Sequence, residues 1–202
     1  MYEYCNSLFS EFNKKIAPRL KEIAQDTERF LYFIAWLNTR LESWSRGRII
    51  LVGGFAVEIL TGATYRTLDV DIIVEGSKNI VEEFLKRISE PRTSRVFIPK
   101  LRALASKGID IVGSVYSKVK KPIRIEINEY HVYMEPCEEL ILTYLSAWKF
   151  WESLEDRDKV YALVKVYWNR IDSSYVLKEV AKRNTEDKLK EVLSDLGVQS
   201  EI

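Results

Sequence analysis

Only two cysteines, Cys5 and Cys137, and a single histidine, His131, occur in the 202 residues. That is too few for a disulfide framework or for a structural zinc site of sulfur and nitrogen ligands. A reducing cytoplasm is therefore the expected compartment. No stretch approaches the ~20 consecutive apolar residues of a membrane span, so no membrane partner is expected. The opening "MYEYCNSLFSEFNKK" carries two acids and does not read as a secretory leader. Ser114 and Ser117 have no histidine near them in the chain, which argues against an acyl-transfer nucleophile. His131 alternates with Val132 and Tyr133 and reads as a sheet-face residue rather than a base. Internal repeats and low-complexity linkers are also missing. The length suits one α/β domain, or a catalytic core with a helical appendage.

A large excess of either charge is absent too, the formal net charge being +1. The distribution is nevertheless uneven. From Lys86 to Arg124 there are eleven Lys and Arg residues against only Glu90 and Asp110. A basic middle of this kind suits a polyanion such as RNA or a triphosphate. The bland alternative is a solvated Lys/Arg-rich surface.

What the chain does contain is periodicity of two kinds. Residues 2–45 repeat Ile16, Leu20, Ile23, Phe30, Ile34 and Leu37 at three- and four-residue steps, which predicts helices, with Pro18 dividing them into two. "RIILV" (48–52) is a β-branched run without alternation, suited to a buried central strand. Gly53-Gly54 ends it, and "FAVEILTG" follows as about two helical turns closed by Gly62. "LDVDIIV" (68–74) and "GIDIV" (108–112) predict strands, with a helix from Gly76-Ser77 through Ile88 and a further strand near "RVFI" (95–98). "PIRIEINEYHVYMEP" (122–136) alternates and predicts a hairpin turning near Asn128-Glu129. From Pro136 the pattern turns helical, in about four helices, with Trp148, Trp151, Tyr161, Tyr167 and Trp168 as packing aromatics. The expected organisation is an N-terminal helical segment (1–47), an α/β core (48–135) and a C-terminal helical region (136–202).

Two features of the core carry chemistry. A strand running into Gly-Gly and then a helix N-terminus lets an anion approach the backbone and meet the helix's unpaired N–H groups. Asp69-Val70-Asp71 then places two carboxylates on one side of a strand, about 6.5–7 Å apart at Cα, while Val70 and Ile72 pack the other side. Such a pair suits Mg²⁺, a hard cation that takes oxygen ligands and bridges to phosphates. Solvated acids on an edge strand are the alternative. Two further acids fall in predicted strands: Asp110, between apolar neighbours in "GIDIV" and one of only two acids in a strongly basic stretch, and Glu126 in "RIEIN", which a polar hairpin face accounts for without chemistry.

Val52-Gly53-Gly54 followed by Asp69-Val70-Asp71 resembles the signature of the nucleotidyltransferase superfamily of the DNA polymerase β type. "VYMEPCEELILTYLSAWKFWESLEDRDKVYALV" is similar to the segment that follows in its small prokaryotic, antitoxin- and AbiEii-like branch. The resemblance covers about residues 48–168. It departs from the family pattern in the 14-residue gap from Gly54 to Asp69, in Gly54 where many members have Ser, and in Tyr144 where a Lys is usual; Lys149 would stand in for that Lys.

The resemblance implies a nucleotidyltransferase-like mixed β-sheet flanked by helices, with N-terminal helices and a C-terminal helical region. It implies Mg²⁺-dependent transfer of a nucleoside monophosphate from an NTP such as ATP to a hydroxyl of RNA (for example tRNA) or of a partner protein. The family also needs a third carboxylate on a neighbouring strand, for which Asp110 is preferred to Glu126. Asp69, Asp71 and Asp110 would be catalytic and bind the metal, while Gly53, Gly54, Thr67 and Lys149 would bind nucleotide. The rival expectation is a toxin–antitoxin binding component that keeps this fold with little or no catalysis.

Overall fold

The computed structural model describes residues 2–91 and 96–198. Their contacts divide them into two compact units that cut across the order of the chain. One takes the described residues of Met1–Ala56, Thr67–Ser117 and Pro122–Met134; the other takes those of Val57–Arg66, Lys118–Lys121 and Glu135–Ile202.

The first unit contains a five-stranded mixed sheet. Its strands are β1 (Gly47–Leu51), β2 (Asp69–Gly76), β3 (Gly108–Gly113), β4 (Ile123–Ile127) and β5 (Tyr130–Met134), in the order β3-β2-β1-β5-β4. The β-branched run of β1 occupies the centre, as its lack of alternation predicts, and Ile49, Ile50 and Leu51 are fully buried. β1 pairs antiparallel with β2 and parallel with β5, while β2 and β3 run parallel. β4 and β5 form the expected hairpin, and Asn128 takes the left-handed backbone (φ 53°) that its turn requires.

Helices α1 (Tyr2–Glu11), α2 (Ala17–Glu22) and α3 (Asp26–Ser43) belong to the same unit as the sheet. Pro18 does not divide the N-terminal region where the sequence suggests. A π-helical turn, Phe12–Ile16, leads into α2, and Pro18 sits in the first turn of α2, where its missing N–H costs nothing. The chain breaks instead at Ile23, whose backbone is extended. α3 then lies over β1 and β5. Phe12, Phe33, Trp36 and Phe84 meet ring to ring, centroids 5.6–6.3 Å apart, and clamp the π-helical turn, α3 and α5 (Lys78–Ile88) together. Asn38, fully buried, joins α3 to the sheet: its amide donates to the His131 carbonyl (2.9 Å) and its oxygen accepts from the Ile49 N–H (2.7 Å). His131 is accordingly a structural residue, held by Glu42 and Thr39 of α3.

The strand expected near "RVFI" is reduced to two isolated bridges, Phe97 with Ile109 and Pro99 with Ser89; Arg95 lies outside the described residues.

Helix α4 (Gly53–Leu60) opens directly after β1. The second unit is helical, with α6 (Cys137–Trp151), α7 (Leu154–Tyr167), α8 (Ser173–Arg183) and α9 (Glu186–Asp195). Trp148 packs against Tyr161 and Trp168 is buried, but Trp151 is 80% exposed, beside exposed Phe150 and Leu154. The difference follows from the helix end: Glu152 adopts left-handed backbone there, and the last turn of α6 projects outward. Among the described residues no helix is long and apolar enough to cross a membrane.

Candidate active site

Strand register brings the carboxylates together. Along β2, Asp69 and Asp71 alternate with buried Val70 and Ile72 and so share one face of the sheet. In the parallel pairing of β2 with β3, Asp71 stands opposite Asp110 and Asp69 opposite Gly108. Neighbouring strands lie about 4.8 Å apart, and residues in register project to the same side, so Asp110 joins that face. Its neighbour Ile109 faces the core. Asp69 is exposed, Asp71 half-buried and Asp110 only 4% exposed, a gradient running from solvent into the sheet.

Helix α4 meets the same face. Gly53 has φ +66°, and a Cβ built on it would stand 2.3 Å from Asp71 Oδ2. Glycine is needed there twice over, for the backbone angle and for the space the carboxylate occupies. The Val52 N–H donates to the Asp71 carbonyl (3.1 Å), fixing the approach of the β1–α4 junction to β2. The first turn of α4, the positive end of the helix, therefore begins against an acid.

The entrance to β2 is held by residues that sequence reasoning passed over. Buried Lys107 donates from Nζ to the Thr67 carbonyl, stands 5.7 Å from the centroid of the Phe55 ring and lies 4.0 Å from Asp26. The Gly108 N–H donates to the Leu68 carbonyl (2.8 Å). A Cβ on Gly108 would fall 2.2 Å from Val96 Cγ1 and 3.0 Å from Asp69 Oδ1, so this glycine too makes room beside a carboxylate. The available signal was the Lys-Gly pair just before "IDIV". The Thr67 hydroxyl accepts from the Asp69 N–H (3.3 Å) and shapes the turn into the strand.

Glu126 and Lys149 are carried by other elements. Glu126 is on edge strand β4, separated from β2 by β1 and β5, and pairs with Arg124 at 3.1 Å. It does not join the carboxylate face near Asp71. Lys149 belongs to the helical unit, where its Nζ donates to Asp187 (2.7 Å) and holds that carboxyl below the usual aspartate range. In the same unit Lys159 sits 4.7 Å from the centroid of the Tyr144 ring, between Asp156 (2.8 Å) and Glu155 (3.0 Å).

Several cations of the basic stretch are also engaged. Lys118 donates to Thr143 (2.8 Å), Lys120 bridges Glu138 (2.9 Å) and Asp172 (3.2 Å), and Lys86 pairs with Glu83 (2.5 Å). Arg92 and Arg95 lie outside the described residues. Among the described residues no group of three or more His, Cys, Asp or Glu is arranged closely enough to hold a metal ion.

The fold and site define a class of protein by architecture: a mixed five-stranded sheet, flanked by helices, with acids at the start of two parallel strands beside a glycine-opened helix. No family model matches the chain, and no curated protein matches it. Among solved structures it is similar to an antigenic nucleotidyltransferase-like protein from Paracoccidioides brasiliensis. The identity is 14% over 82% of this chain and 92% of that one, with a TM-score of 0.49. It is also similar to the antibiotic-resistance factor ANT(2'')-Ia, at 14% identity over 83% and 97% of the two chains and a TM-score of 0.48.

Proposed function

We propose that this protein is a Mg²⁺-dependent nucleotidyltransferase, moving a nucleoside monophosphate from an NTP to a hydroxyl acceptor. The observation that carries this reading is the register that sets Asp110 beside Asp71, with Asp69 on the same face and the Asp71 carboxylate against Gly53.

The donor set fits the ion by its chemistry. The acids are hard oxygen donors, and Mg²⁺ needs only one or two protein carboxylates because it keeps waters and takes phosphate oxygens for the rest. Asp69 and Asp71 would hold it as a two-carboxylate site, since among the described residues no three acids stand close enough to share one ion. Bound there, Mg²⁺ would neutralise phosphate charge and act as a Lewis acid on the phosphoryl group.

The remaining work falls to the chain. The backbone N–H groups at Gly53 and Gly54, at the positive end of α4, bind phosphate oxygens and orient the triphosphate toward the strand acids. Asp110, the deepest of the three acids, would accept the proton of the attacking hydroxyl. Lys107 and Gly108 keep the entrance to β2 rigid, so the spacing of Asp69 to Asp71 is set before substrate arrives.

The test is incubation with each α-labelled NTP, Mg²⁺ and candidate acceptors, total RNA and cell protein among them, using the wild type and Asp69→Asn. Label transfer by the wild type and none by the variant is expected. Equal transfer by both, or none by the wild type with any NTP, would refute the reading.

A further inference from the structure

A cavity of about 450 Å³ opens in the sheet-containing unit, between the bend that separates α2 from α3 and the turn at residues 101–103. Lys21, Arg29 and Arg102 line it, with Ile23 and Leu101 as apolar walls and no acid among the lining residues. The three cations come from three places: the end of α2, the first turns of α3 and the short 3₁₀ turn Arg102–Leu104. Gathering like charges around one small space is unfavourable unless an anion compensates them.

Nothing nearby does so. Among the described residues none of the three forms a salt bridge, Glu28 beside Arg29 is exposed and does not line the cavity, and two other acids near them in sequence are occupied. Glu22 is bound by Arg19 (2.6 Å), while Asp26 accepts from Ser106 (2.7 Å) and faces Lys107.

Arg29 is the fixed member. Its Nη1 donates to the Ala103 carbonyl (3.1 Å) and its Nη2 to the Ala24 carbonyl (3.0 Å), so the guanidinium ties the two walls together. Both partners are neutral and leave the charge uncompensated. Its Nε is buried and has no hydrogen-bond partner. Lys21 and Arg102 are exposed, and among the described residues their side chains make no hydrogen bond or ion pair, so they can close on a ligand.

We propose that this cavity binds a phosphate group. Two arginines and a lysine around an open pocket match a tetrahedral oxyanion, which accepts several charge-assisted bonds at once. Under the proposed transfer the triphosphate takes the Gly53 face, so a phosphate here belongs to the acceptor, as a small phosphorylated molecule or as a phosphodiester of a polynucleotide. That assignment of role rests on the transferase reading; anion binding does not.

The experiment titrates the full chain, at low salt, with inorganic phosphate and separately with a short oligouridylate lacking a terminal phosphate. The proteins are the wild type, Lys21→Gln, Arg102→Gln and Glu126→Gln. Saturable phosphate binding is expected in the wild type. It should weaken about tenfold in each cation variant, the usual effect of one lost charge-assisted bond, and be unchanged in Glu126→Gln. Parallel weakening for the oligouridylate identifies a polynucleotide phosphodiester; weakening for phosphate alone identifies a small phosphorylated acceptor. Absence of saturable phosphate binding, or equal affinity in wild type and both cation variants, overturns the proposal. If the wild type transfers no nucleotide yet binds phosphate through Lys21 and Arg102, the transferase reading fails and the anion site stands.

Discussion

The Asp71 carboxylate occupies the volume that a side chain on Gly53 would need, with Oδ2 2.3 Å from the position of its Cβ. The acid and the glycine are thus one device: the strand presents the charge, and the helix start comes close enough to share it. Gly53→Ala is expected to cost about 1–2 kcal/mol from left-handed backbone alone. It should also displace Asp71 and depress transfer more than stability. Denaturant unfolding with parallel activity measurements checks this, and unchanged values of both would show that the close approach has no consequence.

Lys107 gives a second expectation. Lys107→Met removes the ammonium that the Thr67 carbonyl accepts from and leaves that carbonyl buried beside an apolar chain. A stability loss of roughly 1–3 kcal/mol is expected, with loss of transfer through a misplaced Asp69. Measuring both by unfolding and by turnover separates the two, and a fully active variant would remove Lys107 from the account.

How much of this could be read in the sequence depended on whether the signal was local. β-Branched runs and alternation located all five strands, and Gly53-Gly54 with Asp69-Val70-Asp71 marked the start of α4 and the acidic face. The pairing of β2 with β3, which sets Asp110 opposite Asp71, is a long-range choice that no local pattern encodes. The same holds for the salt bridges that engage Lys118, Lys120 and Lys149, since their acidic partners lie 18 or more positions away for two of the three. Pro18 misled because proline is as welcome in the first turn of a helix as it is disruptive inside one. Trp151 reads as a packing aromatic by spacing, yet its place in the last turn of α6 leaves it outside.

The Lys149–Asp187 pair carries a pH expectation. The hydrogen bond from Lys149 lowers the Asp187 pKa, so the pair's contribution is complete above the ordinary aspartate pKa of about 3.9 and disappears as pH falls through the lower folded value. Asp187 is more than half exposed, which limits the effect to about 0.2–1 kcal/mol. Asp187→Asn should therefore melt slightly below the wild type at neutral pH and converge with it in strong acid. A difference that grows on acidification would contradict this sign.

Burial, and then the charge of Glu138, push the Cys137 thiol up to about 12. Little thiolate exists at neutral or mildly alkaline pH, so alkylation of Cys137 in the native protein should be negligible and become fast only on unfolding. Mass spectrometry of the peptide after brief treatment, with and without denaturant, reads the result directly. Rapid native modification would mean that the start of α6 opens readily.

The central claim is that Asp69 and Asp71 act together as a seat for a divalent ion carrying a nucleoside triphosphate. Its most direct measurement follows free Mn²⁺ by electron paramagnetic resonance as it is titrated, with a non-hydrolysable NTP analogue, into wild type and into Asp71→Asn verified as folded. Saturable binding by the wild type that requires the nucleotide, and its loss in the variant, is the predicted result. Equal binding by both proteins, or no binding beyond that of the free nucleotide, would contradict the account.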